Sequence, residues 1–177
     1  MSHLTDLSPG DNLPESFNVI VEIPADGKAI KYEVDKDTGL VMVDRFMPVA
    51  MHYPVDYGYI PSTLAGDGDP VDVLVMTPQP VQAGCLIKCR AIGMLTMTDE
   101  AGVDNKGLAL PVIKSCSELA HITSLDDVSP IMLDKIVHFF TYYKALEPNK
   151  WVKVEGWKDQ AAAHEEIQSG VTNFSVD

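Results

Sequence analysis

Alternation with a period of two dominates the first half of the chain. Phe17, Val19, Val21 and Ile23 alternate with Asn18, Ile20 and Glu22, and Ile30, Tyr32 and Val34 alternate with Lys31 and Glu33; this spacing predicts strands. Lys31 and Glu33 then share one strand face, about 6.6 Å apart by strand rise. A further strand is predicted over residues 40–47, after the Thr38-Gly39 turn, with Val41, Val43 and Arg45 on one side. Others follow over 71–76 and 85–97. Between 47 and 70, Pro48, Pro54, Gly58, Pro61, Gly66, Gly68 and Pro70 predict loops and short strand pieces rather than a helix.

Helical spacing arrives late. Ser129 can cap a helix with Pro130 at its first position, and Met132, Ile136, Phe139, Phe140 and Tyr143 recur at helical intervals. A strand over 151–157 leads to a second helix from about 159 to 168, followed by a polar tail over 169–177. Residues 1–14, with Pro9, Gly10 and Pro14, predict an irregular lead-in packed over the outside of a single domain, 1–177. Many strands followed by two helices predict an α+β, mainly β, fold: a small closed or nearly closed barrel with helices packed outside.

Composition narrows the partners. A chain of 177 residues can bury roughly 70% of its unfolded surface without disulfides. Its 13 Lys plus Arg against 26 Asp plus Glu, a formal charge of -13, argue against a nucleic-acid surface, which runs on clustered cations. Apolar runs such as Val73 to Met76 fall far below the ~18 residues a membrane-spanning helix requires. Met1 to Asp6 lack the basic start and apolar core of a secretory signal, which predicts a cytoplasmic protein. Cys85 and Cys89 lie about 13 Å apart in an extended run, too far for one disulfide; with Cys116 they are predicted to be reduced core thiols.

The candidate chemistry is acidic. Asp67-Gly68-Asp69-Pro70-Val71-Asp72 places three carboxylates within six residues where a loop enters a strand. Such hard oxygens can converge on Mg²⁺, Mn²⁺ or Ca²⁺, or can form a solvated acidic turn. An EF-hand is excluded, because the sixth and twelfth places counted from Asp67 hold Asp72 and Pro78 instead of Gly and Glu. Asp99, Glu100 and Asp104, with Lys106 beside them, form a second acidic loop. Were both loops to meet at one rim, their repulsion would call for divalent cations; on opposite sides each would be a polar turn. Arg45, one of two arginines, should be partly buried facing an anion, either a ligand or a structural carboxylate. Lys31 and Glu33 suit a phosphate oxygen and a metal, although the pattern alone slightly favours a surface cross-strand ion pair. Tyr143 reads as a core aromatic with its hydroxyl at the edge, and Tyr53, Tyr57 and Tyr59 crowd one loop as packing or as phenol donors. No nucleophile elbow, Walker A loop, Gly-x-Gly-x-x-Gly or His-Glu-x-x-His is present.

The run from Asp67 to Val75 resembles the signature of the family I soluble inorganic pyrophosphatases. Glu22-Ile23-Pro24, Ile30-Lys31-Tyr32-Glu33, Val43-Asp44-Arg45, Tyr53-Pro54, Tyr57-Gly58-Tyr59, Met97 to Gly102, His138 to Lys144, Lys150 to Val154 and Gly156-Trp157 follow in that family's order, over residues 15–168. The resemblance implies a five-stranded OB-like closed barrel flanked by two main C-terminal helices. It also implies hydrolysis of pyrophosphate to two orthophosphates by a metal-activated water, without a covalent intermediate, and several Mg²⁺ per site, with Mn²⁺ or another divalent ion as alternatives. By resemblance, Asp69 is the general base, and Asp67, Asp72, Asp99, Asp104 and Glu33 are metal ligands. Lys31, Arg45, Tyr57, Lys106, Tyr143 and Lys144 hold the substrate, and Glu22, Tyr53 and Glu100 support the site. Bacterial members imply a homohexamer, to which His138, Phe139, Phe140 and Tyr142 could contribute a contact. Two alternatives are a metal-dependent enzyme acting on another phosphate compound and a catalytically silent cation-binding barrel.

Overall fold

The computed structural model describes residues 7–35 and 37–175. The signal-sequence reading of Met1 to Asp6 and the last two residues of the expected tail lie outside them. The strands are β1 (Phe17–Ile23), β2 (Ile30–Val34), β3 (Val41–Phe46), β4 (Asp56–Tyr59), β5 (Asp72–Val75), β6 (Leu86–Asp99), β7 (Gly102–Val103), β8 (Lys106–Pro111) and β9 (Val152–Lys158). Helix α1 (Pro130–Tyr142) precedes β9, and α2 (Gln160–Phe174) follows it. Hydrogen bonding runs β1-β4-β5-β8-β6, and β6 pairs again with β1, which closes five strands into a ring. Only the β5–β8 pair in this ring is parallel. The fold is mainly sheet with two C-terminal helices, consistent with the expected OB-like class.

Both faces of the ring are covered, which explains near-continuous apolar runs such as Val73-Leu74-Val75 and Leu108-Ala109-Leu110. Leu74, Leu108 and Leu110 join Ile92, Met97 and the α1 residues Ile136, Phe139 and Phe140 in one core. Val73, Val75 and Ala109 face the opposite way, against Phe17, Val19 and the α2 residues Ala163 and Ile167. The described part of the lead-in packs on this scaffold: Leu13 touches the second core, and Asn18 N donates to Pro9 O at 2.7 Å.

Several expectations need correction. Strand β8 was not expected; the acidic loop before it and the Gly107 and Pro111 within it mask the buried apolar run Leu108-Ala109-Leu110. Helix α2 does not stop near residue 168 but runs to Phe174, so most of the expected tail is helical. Gly170 sits inside it at a close approach, where a side chain would run into Val71. Strand β3 forms a separate two-stranded sheet with β2. Its apolar face is therefore not buried: Val41 is 36% and Val43 48% exposed. Of the three cysteines, all free, Cys89 is buried, Cys116 is intermediate and Cys85 is exposed, so Cys85 is not a core thiol. In α1, Phe139 and Phe140 are core residues, while His138 and Tyr142 lie at the surface, their rings tilted against each other with centroids 4.9 Å apart.

Candidate active site

The ring brings together ends of elements that lie far apart in sequence. Strands β5 and β8 begin side by side, with Asp72 and Lys106 as register partners, and β6 ends near them with Asp99. Helix α1 finishes at the same rim and delivers Tyr143 and Lys144. The separate β2–β3 hairpin supplies Lys31, Glu33 and Arg45 from the other side. Asp67, Asp69 and Asp104 come from the intervening loops, Glu22 from β1, Tyr57 from β4, and Tyr53 and Glu100 from positions flanking strands. All of these line one cleft of about 790 Å³. The two acidic loops therefore meet at one rim, and the reading that sets them on opposite sides is excluded.

The local backbone aims the acids. Gly68 takes φ +91, a left-handed conformation open to glycine at little cost, and the turn lets Asp69 N donate to Asp67 Oδ1 at 3.1 Å. Lys106 Nζ lies 2.5 Å from Asp72 Oδ2 and also bonds Asp104 Oδ1. Burial raises the Asp72 carboxyl and nearby Asp104 raises it further, against the pull of Lys106. Burial likewise raises Asp67, with Asp104 and Asp69 adding to it and the Asp69 N–H opposing. Lys106 goes the other way: burial would lower it, but Asp72 and Asp104 outweigh burial and hold it protonated. Burial pushes Tyr53, Tyr57 and Tyr143 well above the usual phenol range, so all three stay neutral donors near neutral pH.

The second acidic pair is braced by lysines. Lys144 Nζ donates to Asp99 Oδ2 at 2.6 Å and stands 3.5 Å from Glu100 Oε1, which Lys150 Nζ also meets at 2.5 Å. Burial raises Asp99, but the bonds from Lys144 and Ala101 N outweigh it and leave the carboxyl lowered. Burial is similarly overcome at Glu100, which falls to about 2 under hydrogen bonds from Lys150 and the backbone. On the hairpin, Lys31 Nζ bonds Glu33 Oε1 and lies 3.5 Å from Asp44 Oδ2. Arg45 meets Asp44 Oδ2 at 3.2 Å and Glu147 Oε2 at 2.7 Å. In this arrangement Lys31 makes ion pairs and Arg45 faces structural carboxylates while also lining the cleft. Lys150, Asp44 and Glu147 received no role from the sequence. The turn at Asn149 (φ 61) returns Lys150 to the cleft, which no spacing rule anticipates.

Among the described residues no three His, Cys, Asp or Glu side chains converge into a ready cation cage; Lys106 bridges Asp72 and Asp104 instead. The donor set nevertheless fits a hard divalent ion. Mg²⁺ dehydrates reluctantly and is usually held by one or two carboxylates plus water and substrate phosphates, without an all-protein cage. The inorganic pyrophosphatase family model matches residues 19–175. The chain belongs to this family. An inorganic pyrophosphatase of Ralstonia nicotianae is 57% identical over 169 residues, 96% of this chain and 97% of that one. The solved structure of an inorganic pyrophosphatase from Coxiella burnetii superposes with a TM-score of 0.92 at 55% identity, covering 95% of this chain and 99% of the other. That from Thermus thermophilus gives 0.94 at 42% identity, covering 98% and 99%. Among the described residues no helix is long and apolar enough to cross a membrane.

Proposed function

We propose that this chain hydrolyses inorganic pyrophosphate to two orthophosphates, with a metal-activated water as nucleophile and no covalent intermediate. The observation that carries this reading is one cleft combining an acidic wall with Lys31, Arg45, Lys106 and Lys144 and three neutral phenols. An acidic wall alone would suit any cation; the added cations and phenols suit a ligand that brings anionic oxygens with it. Pyrophosphate is such a ligand, and its hydrolysis is limited by repulsion between the anion and its nucleophile and by charge on the departing phosphate.

Asp67, Asp72, Asp99, Asp104 and Glu33 would hold Mg²⁺, or Mn²⁺ in its place. When bound, these ions lower the pKa of a coordinated water and offset phosphoryl charge. Asp69 accepts the proton of the attacking water. Lys31, Arg45, Lys106 and Lys144 hold phosphoryl oxygens, and Tyr57 and Tyr143 donate hydrogen bonds to them. Glu22, Tyr53 and Glu100 support these groups. No residue is needed as a covalent nucleophile. The chain acts as a single domain and, by family resemblance, as a cytoplasmic homohexamer, which a sedimentation mass near six chains would support.

The experiment is orthophosphate release from pyrophosphate with and without Mg²⁺, set beside release from nucleoside triphosphates. Mg²⁺-dependent turnover selective for pyrophosphate is expected. Preference for nucleotides would favour a different phosphohydrolase, and silence toward every substrate would favour a binding protein.

A further inference from the structure

We propose that Glu147 is a positioning residue for Arg45, fixing the guanidinium so that its free edge receives a phosphoryl oxygen. This inference rests on the reading of the cleft as a pyrophosphate site. Strands β2 and β3 bond each other and not the ring, so no ladder hydrogen bond sets how far Arg45 stands from the opposite wall. Glu147, 102 residues away in sequence, reaches across: its Oε2 accepts from Arg45 Nη1 at 2.7 Å. Asp44 Oδ2 lies 3.2 Å from Arg45 Nε. These two carboxylates engage two of the guanidinium's three nitrogens, and Nη2 has neither as its partner.

The Glu147 end is itself fixed. Its N–H donates to Lys144 O at 2.9 Å, and Lys150 N donates to Glu147 O at 3.3 Å. This short turn thus carries both Glu147 and the cleft residues Lys144 and Lys150. Its side chain is only 13% exposed and does not line the cleft, whereas Arg45 does. Glu147 therefore grips Arg45 from behind, without competing for the ligand's place. A guanidinium held in one plane loses less freedom when a phosphate binds. An ordinary surface pair would be worth little and would not affect substrate affinity.

The test uses the full chain with Mg²⁺ and a pyrophosphate concentration series. Glu147→Ala is expected to raise KM about tenfold with kcat within about threefold, the signature of lost uniform binding. Glu147→Gln, which keeps an acceptor in place, should stay within about threefold of the parent in KM. In an Arg45→Ala background Glu147→Ala should change nothing further, because its effect runs through Arg45. A parental KM in Glu147→Ala, or an undiminished effect without Arg45, overturns the inference. Should Glu147→Ala fail to fold, Glu147→Asp, one methylene too short, carries the same expectation of a raised KM, and a parental value there overturns it equally. A parent that releases no phosphate from pyrophosphate removes the functional reading and this inference with it; a turning-over parent with an unmoved KM removes this inference alone.

Discussion

Lys106 faces Asp72 across the parallel pair β5–β8, with Nζ 2.5 Å from Oδ2, and the same ammonium bonds Asp104. One buried cation thus holds together a carboxylate at the start of β5 and another from the loop before β8. A divalent ion held by Asp72 and Asp104 would relieve the same repulsion.

Replacing Lys106 by Met should therefore destabilise the metal-free protein by about 3–5 kcal/mol, since the charges left behind remain buried and unpaired. Mg²⁺ should recover much of that loss, more than it adds to the parent. Thermal melts in chelator and in Mg²⁺ check this. A variant as stable as the parent in chelator would mean that Asp72 and Asp104 do not depend on the lysine.

Asp69 and Asp72 should separate by the kind of damage they cause. Asp69→Asn is expected to lose most turnover, on the order of 10²–10⁴ fold for a general base, with Mg²⁺ binding near that of the parent. Asp72→Asn should instead shift the Mg²⁺ dependence steeply upward. Titrating Mg²⁺ by calorimetry beside rate measurements distinguishes them; near-normal rates for Asp69→Asn would remove the base role.

The acidic motif was legible because Asp67, Asp69 and Asp72 lie within six residues, and period-two alternation located β1 and β2 directly. What spacing could not convey was pairing. Nothing in the sequence places Lys106 opposite Asp72, because a parallel register joins residues 34 apart. The exposed face of β3 was hidden for a related reason: alternation reports that a strand has two faces and is silent on whether anything covers them. The end of α2 was hidden because residues 169–174 are largely polar, and only the fold shows Gly170 inside the helix, admitting Val71. Glu147 was invisible, as its only signal is a contact with Arg45 made by the folded chain.

Glu22 makes stability depend on pH. Its side chain accepts from Val34 N at 2.7 Å. Burial raises its carboxyl to about 8 from an ordinary 4.5; the Val34 bond opposes this and the neighbouring Asp72 and Glu33 add to it. Between those two values the folded chain keeps a proton that the unfolded chain releases. Stability should therefore fall as pH rises through this window, by at most about 1.4 kcal/mol per pH unit, and level off above it. Glu22→Gln, which carries no titrating proton, should flatten the slope. Urea unfolding of metal-free protein at pH 5, 6, 7 and 8 provides the measurement; parallel slopes for the two proteins would rule Glu22 out.

Asp56 provides the contrast, a carboxylate whose work lies in the scaffold. It is fully buried and does not line the cleft. It accepts from Ala25 N at 2.7 Å, Thr77 Oγ1 at 2.7 Å and Val81 N at 3.1 Å, tying two loops to the start of β4. Burial raises its pKa, and these three bonds hold it partly down, so the donors recover much of what desolvation costs. Asp56→Ala would leave all three without an acceptor, at about 1–3 kcal/mol for each buried group. Asp56→Asn, which retains one acceptor oxygen, should lose less. Below their melting temperatures both variants should keep kcat and KM near the parent, because the groups that touch substrate are elsewhere. Denaturant unfolding paired with rate measurements at low temperature tests this. A large fall in kcat without loss of stability would mean that Asp56 acts on the chemistry through its neighbour Tyr57.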